Sequence, residues 1–373
     1  MKTAQEFKKL CFEKSISDNT MVKNFSRIPS IEISKYNTEE ELGEMLNSFK
    51  LACVKSREIL ILKEFKGRIF QSCPASKNVI CCNYRLINTG FGCLYNCMYC
   101  FLNTYLNSYG ITQFVNTDDI VEQIKDNLPA SSKVYRLGTG EFTDSLMMDM
   151  FTGISEKILT GLFDRPDIMV ELKTKSNNID HLLKVKHNNS SIIAWSLNTT
   201  RNIEKYEHDA AALDERLQAA LKAQENGYLT AFHFDPVIIY DGYLKDYLAL
   251  IDSMFKLLDG SKIVWISIGG FRYAPGFKEA ISEVFLNQDL TAEEMFPGAD
   301  GKFRYLRFER ESFYSAMFNQ IRLHSSKPFV YLCMETEQVW QNSFGFSPKY
   351  TDDLEDMMSR HLVENFEHLK TLD

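Results

Sequence analysis

From residue 84 to about residue 270 the chain alternates short apolar runs with longer stretches of amphipathic period. Runs at 84–89, 134–137, 168–172, 192–197, 229–234 and 263–268 read as buried strands. Between them, apolar residues recur at helical spacing over 145–162, 179–186, 213–226 and 244–258, with Gly227 as a C-cap after the third of these. Thr117-Asp118-Asp119 supplies a cap and acidic charge for the start of a further helix. Strand followed by helix, repeated this often, predicts a parallel sheet with right-handed crossovers, either curled into a barrel or open and doubly wound.

Outside that repeat the pattern is weaker. Residues 1 to about 36 mix polarities with little period and predict irregular structure around a single helix. Thr38-Glu39-Glu40-Glu41 is a capping box, followed by Leu42, Met45, Leu46 and Phe49 on one helix face, and 59–62 is a short buried strand. Beyond residue 276 the repeat fades into Lys302-Phe303-Arg304-Tyr305-Leu306-Arg307-Phe308-Glu309-Arg310, where cations interleave with aromatics in what reads as one arm of a hairpin. A helix at 312–321, a strand at 329–333 and a helix from about 352 finish the chain. No Gly/Pro/Ser-rich linker is long enough to separate independent domains. The expected division is an N-terminal extension (1–83), a repeat core (84–275) and a C-terminal extension (276–373).

At 373 residues and 45% hydrophobic, the chain can bury a sizeable core. No apolar run approaches the ~20 residues of a membrane span, and the N-terminus lacks an apolar signal stretch, so a cytoplasmic protein without membrane contact is expected. Nine cysteines in a chain of this size fit a reducing compartment rather than a disulfide scaffold. The net charge of −8 is the wrong sign for a broad nucleic-acid-coating face. Only the strip at 302–310 offers local basic character, and strand alternation would turn Lys302, Arg304 and Arg310 toward solvent. Phe303, Tyr305 and Phe308 would then be available to pack or to stack on bases.

The chemistry concentrates in Gly92-Cys93-Leu94-Tyr95-Asn96-Cys97-Met98-Tyr99-Cys100-Phe101, which follows the first repeat strand. A CxxxCxxC loop lets three thiolates converge on one cluster, one fewer than a closed all-cysteine site uses. A [4Fe-4S] cluster held this way keeps one iron open for a small molecule; a zinc knuckle with a distant fourth ligand and an accidental grouping are the competing readings. With this loop on the first strand, the barrel form is preferred: a partial (β/α)6-type TIM barrel with its site at the C-terminal strand ends. Cys73, Cys81 and Cys82 lie close upstream but complete no second spaced set, and read as small buried thiols beside the barrel mouth.

The loop, with an aromatic just before its last cysteine, resembles the signature of radical SAM enzymes. The match narrows to the spore photoproduct lyase family through three short motifs in the family's order and spacing. These are the loop itself, Lys173-Thr174-Lys175-Ser176-Asn177-Asn178-Ile179-Asp180-His181 with Lys186-His187-Asn188, and Leu213-Asp214-Glu215-Arg216-Leu217 with Gly227-Tyr228. The resemblance implies a radical SAM partial barrel, a [4Fe-4S] cluster, S-adenosyl-L-methionine (SAM) as cofactor, and an electron donor such as flavodoxin or ferredoxin in an anaerobic setting. It makes Cys93, Cys97 and Cys100 the cluster ligands. Lys175 becomes the partner of the SAM carboxylate, with Ser196 and Asn198 as polar groups at the next strand end. Gly138, Gly140, Glu141 and Thr143, in Gly138-Thr139-Gly140-Glu141-Phe142-Thr143-Asp144, are similar to the motif that holds the methionyl ammonium. Asp144 and Asp149 have the plainer reading of helix caps.

The departures from the family matter as much. Glu141 occupies the position of the lyase's hydrogen-donor cysteine, and its O–H bond is too strong to give a hydrogen atom readily to a carbon radical. Phe101 stands where the lyase has a tyrosine, while Tyr99 is retained. Cys333, closing the strand at 329–333, is the substitute thiol that the sequence offers. His233, Asp235 and Arg272, at the ends of the fifth and sixth repeat strands, are candidates to line a substrate cavity together with Lys302 and Arg304, whose strip resembles the lyase's DNA-contacting hairpin. The expected activity is reductive SAM cleavage followed by hydrogen abstraction from a nucleobase-type substrate such as a DNA lesion or modified base. The alternatives are a small metabolite, nucleoside or peptide taken without nucleic acid, and a non-catalytic metal-binding protein.

Overall fold

The apolar runs become neighbours in one curled sheet. In the computed structural model, which describes residues 1–73, 76–106, 109–286 and 289–372, the strands Arg85–Ile87, Tyr135–Gly138, Ile168–Thr174, Ser191–Ser196, Leu229–Val237 and Ile263–Gly270 lie side by side in chain order. All six run parallel. Phe329–Leu332 adds a seventh parallel strand at one edge, and Phe70–Ser72 pairs antiparallel at the other. Parallel strands covered on both faces need nearly continuous apolar sequence. Ile192-Ile193-Ala194-Trp195 and Ile263-Val264-Trp265-Ile266 meet that demand, and all eight residues are buried. The fold is the expected α/β half-barrel.

The N-terminal segment is more regular than its sequence suggests. Glu32–Tyr36, Lys9–Glu13, Ile59–Lys63, Ile111–Phe114 and Gly90–Phe91 form a second sheet in that order, parallel except for the last pair. Lys9–Glu13 buries only its central Leu10, Cys11 and Phe12, and Glu32–Tyr36 buries only Tyr36, so neither carries a readable alternation. Ile111–Phe114 is wholly buried, Thr112 and Gln113 included, which conceals a core strand behind polar letters.

This second sheet sets the feet of the cysteine loop. Gly90 pairs with Gln113 and Phe91 with Thr112, so the chain leaves and re-enters one ladder around residues 92–110. A Cβ at Gly90 would stand 2.3 Å from the Thr112 carbonyl oxygen, which forbids any larger residue at that crossing.

Three helical expectations change. The helix expected at 145–162 is split into Asp149–Thr152 and Ile154–Gly161 by Gly153, whose φ of 63° ends one helix and starts the next. The expected helix at 179–186 is only a 3-10 turn, Leu182–Lys184. The helix expected at 312–321 begins earlier and ends later, Arg307–His324, so most of the second half of the basic strip is helical. Only Phe303–Arg304 is strand, in a small three-stranded sheet with Arg272–Tyr273 and Phe296–Pro297.

Candidate active site

The cysteine loop is fixed from several sides. Asn96–Cys97 pairs with Glu207–His208, the Met98 N–H donates to the Tyr206 carbonyl (2.8 Å), and the Asn103 amide caps the Cys97 and Met98 carbonyls at 3.1 and 3.2 Å. The Leu94 N–H points at Met147 Sδ, 3.3 Å away. Cys93, Cys97 and Cys100 are all free thiols. Burial pushes each of them up, Cys97 to about 12, and Asp144, Cys97 and Cys100 push Cys93 in the same direction. Lys175 opposes the rise at Cys97 and Cys100.

This donor set fits a multi-iron cluster. Thiols raised by burial are ones that a cationic centre deprotonates as it binds. Three cysteines on a single loop, close enough to influence one another's ionisation and joined by no disulfide, leave one corner of such a cluster without a protein ligand. Among the described residues no three His, Cys, Asp or Glu side chains converge tightly enough to hold a single ion.

Two lysines project to one side from a single strand and its end, and Lys175 reaches the loop. Side chains alternate along Ile168–Thr174, so Glu171, Lys173 and, just past its end, Lys175 project to the same barrel-facing side. Lys175 Nζ lies 5.6 Å from the Tyr99 ring centre, and Lys173 Nζ lies 3.8 Å from Glu141 Oε2. Among the described residues neither ammonium donates a hydrogen bond. Burial works against the charge on Lys173, but Glu141, Glu171 and Asp235 outweigh it and the group is held above its ordinary value.

Asp144 is structural, as its plainer reading had it. It accepts from the Thr174 hydroxyl and the Lys175 N–H, both at 2.8 Å, and from the Leu146 and Met147 N–H groups at 3.0 Å. It thereby locks the loop after Tyr135–Gly138 onto the strand that carries Lys175. Asp149 likewise bonds His181 Nε2 (2.8 Å) and the Ser155 N–H (2.9 Å). Behind Tyr99, the Tyr99 hydroxyl donates to Glu207, whose other oxygen accepts from the fully buried Arg216 at 2.5 Å.

A family model described as spore photoproduct lyase matches residues 72–321. The chain belongs to the spore photoproduct lyase family. Its curated relatives include the spore photoproduct lyase of Clostridium acetobutylicum, 26% identical across 87% of this chain and 98% of that protein. That of Bacillus subtilis is 28% identical across 44% of this chain and 48% of its own length. A solved variant of spore photoproduct lyase with bound AdoMet and dinucleoside spore photoproduct superimposes at a TM-score of 0.73, with 22% identity over 87% of this chain and 98% of that one. Membership makes the chain a radical SAM enzyme that uses a [4Fe-4S] cluster and SAM.

Within this lyase-family frame the other expected site residues divide. Gly138 is required by the protein itself, because a Cβ there would fall 1.6 Å from the Tyr84 hydroxyl, and Gly140 lies against the Lys173 backbone. Thr143 is buried with its hydroxyl 4.0 Å from Met147 Sδ. The Ser196 carbonyl accepts from Arg216 at 2.8 Å. The Asn198 amide is committed inward: its Nδ2 donates to the Pro236 carbonyl (3.1 Å), and its Oδ1 accepts from Tyr247 (2.5 Å) and Asn202 (2.9 Å).

His233 is a satisfied core residue, with Nε2 on Glu171 and Nδ1 on Ser267, both at 2.7 Å. Asp235, Arg272 and Cys333 do come together at the strand ends. Arg272 reaches both Asp235 oxygens at 3.0 and 3.2 Å and Cys333 Sγ at 3.4 Å.

The expectation of solvent-facing cations at 302–310 is overturned. Arg304 is buried and paired with the buried Asp300 at 2.6 Å, and Arg310 is buried and paired with Glu335 at 2.9 Å. Lys302 turns to the Ser76 hydroxyl at 2.8 Å. Two-residue strands do not sustain the alternation on which that expectation rested, and the carboxylates that draw the arginines inward lie at positions with no periodic signal.

Sequence reasoning missed Lys173, Glu171, Arg136, Glu207 and Arg216 as members of the site's charged frame. Arg136 is buried among the rings of Trp265 (4.4 Å), Tyr84 and Tyr331 (both 5.1 Å), and donates to the Tyr331 hydroxyl at 3.0 Å. Lys173 was within reach of period-two reasoning, since it directly follows the strand predicted at 168–172 and precedes Lys175 by two positions.

Proposed function

We propose that this chain cleaves SAM reductively at the Cys93, Cys97 and Cys100 loop and directs the resulting radical onto a nucleobase-type substrate held at the barrel's C-terminal strand ends. The observation that carries this reading is Lys175: an ammonium without a hydrogen-bond partner among the described residues, beside the three-cysteine loop, as a carboxylate-bearing cofactor would require. Held by Cys93, Cys97 and Cys100, a four-iron cluster would supply, with SAM and an electron expected from a flavodoxin or ferredoxin, a 5'-deoxyadenosyl radical. The chain's own residues bind and orient. Lys175 would take the carboxylate, the loop at Gly140 and Thr143 would border the ammonium, and the Glu207–Arg216 pair steadies Tyr99 within the cysteine loop.

With Glu141 and Phe101 at two of the family's relay positions, Cys333 is the thiol proposed to return a hydrogen atom to the product radical, its S–H bond breaking to leave a thiyl radical that one electron from the same donor and a proton would restore. Its place beside Asp235 and Arg272 at the strand ends supports that role. Replacing Cys333 with Ala is expected to change the product distribution while a first SAM cleavage persists. Identical products at an identical rate would remove Cys333 from the mechanism.

The relatives named for spore photoproduct support a nucleobase substrate. A second reading, a small substrate taken without nucleic acid, is favoured by the inward pairing of Arg304 and Arg310, which leaves the strip little charge to offer a phosphate backbone. Anaerobically reconstituted protein given dithionite and SAM should form 5'-deoxyadenosine, and a reconstituted cluster that never does so would end the proposal. Salt-sensitive binding to oligonucleotides would favour the DNA form of the reading, and its absence at low ionic strength the small-substrate form.

A further inference from the structure

Lys173 takes no part in the cofactor binding proposed for Lys175, yet it has the same unusual property. It projects from the same strand to the same side, one alternation deeper. It stays charged, and among the described residues its three N–H donors make no hydrogen bond. Its nearest carboxylate, Glu141, stops at 3.8 Å, beyond hydrogen-bond range. The Lys173 side chain is 28% exposed and its ion pair with Glu141 includes no hydrogen bond, so its donors stay open to an acceptor that arrives with a ligand and displaces water. Glu141, at the position where relatives carry a hydrogen-donor thiol, is an acceptor-only group 23% exposed.

We infer that Lys173 and Glu141 together form a substrate-recognition pair that reads an imide or lactam edge, Lys173 donating to a ring carbonyl and Glu141 accepting from the adjacent ring N–H. The inference rests on the reading of a nucleobase-type substrate and narrows it to bases with that edge unsubstituted. Their separation suits this use, because a C=O beside an N–H presents an acceptor and a donor side by side. A carboxylate or phosphate ligand would satisfy Lys173 but be repelled by Glu141 and by Asp235 nearby. A purely apolar ligand would take water from both charges and offer neither a hydrogen bond. The pair therefore selects a neutral polar ring over either.

The test uses the anaerobically reconstituted holoenzyme with SAM bound, and two probes: thymidine, and thymidine methylated at N3. Equilibrium binding is measured for the wild type and for K173M, K173R and E141A. The wild type is expected to prefer thymidine by about tenfold or more, the worth of one hydrogen bond to a charged group. K173M should lose about tenfold or more for both probes, K173R should retain most of the affinity, and E141A should erase the preference between them. Variants that bind both probes as the wild type does would overturn the inference. So would a holoenzyme that makes 5'-deoxyadenosine but binds neither nucleoside at millimolar concentration. A wild type that makes no 5'-deoxyadenosine is a separate failure, of the catalytic reading itself.

Discussion

Two groups of cations flank the mouth of the half-barrel, and they are opposites. On and just past the strand Ile168–Thr174, Lys173 beside Glu141 and Lys175 beside the cysteine loop hold ammonium groups that no described residue hydrogen-bonds. On the other side, Arg304 and Arg310 are buried against Asp300 and Glu335, with N–O distances of 2.6 and 2.9 Å. In sequence the second group looked functional as well, since it is dense and interleaved with aromatics. The difference teaches that a cation's availability depends on whether a carboxylate has been buried with it. Local charge density does not report this.

The sharpest way to break the contrast is to remove a carboxylate from the paired side. Glu335 is 1% exposed; it accepts from Arg310 and from the Tyr314 hydroxyl at 2.8 Å, with Arg304 3.8 Å away. Replacing it with Ala strands a buried guanidinium, and the expected loss is about 3–5 kcal/mol of folding stability. Denaturant titration of the purified protein measures this, and a loss below about 1 kcal/mol would mean the pair is solvated rather than structural.

On the uncommitted side the prediction inverts. Lys175→Met should change stability by no more than about 1 kcal/mol, the size of an attraction between an ammonium and an aromatic ring such as that of Tyr99. SAM affinity of the reconstituted protein should fall by about tenfold or more, the worth of a hydrogen bond between charged partners. Equal SAM affinity in the two proteins would remove Lys175 from the cofactor site.

The contrast also marks what the sequence could and could not convey. The strands of the half-barrel were legible because parallel strands buried on both faces leave long apolar runs, and the cysteine loop because ligand spacing is local. The second sheet was not, since Ile111–Phe114 places Thr112 and Gln113 in the core and Lys9–Glu13 is framed by charges. The charged frame was least legible. Glu171 meets His233 and Glu207 meets Arg216 only through the three-dimensional fold, and a two-residue strand gave no basis for deciding which way Arg304 points. Helix length failed where one residue sets the boundary, as Gly153 does.

A smaller effect separates the floor of the barrel from its mouth. Burial, the largest effect, holds the His233 ring below its ordinary value; Glu171 offsets part of this, and Lys173 and Arg136 add smaller pushes in the same direction as burial. The unfolded chain protonates that histidine near pH ~6.5, whereas the folded chain resists, so between the folded value and ~6.5 the unfolded state binds more protons. The stability this contributes is complete above that range and is lost as pH falls through it. Depressed carboxylates such as Asp235, kept ionised by Arg272 against the cost of burial, act in a separate window below their ordinary pKa of about 4. Denaturation midpoints should therefore decline as pH drops from about 7 toward 5, and His233→Gln should flatten that slope while leaving the acid limb in place. A wild-type midpoint that stays level across the histidine range would show that the ring carries its proton in the folded state, with Glu171 outweighing burial.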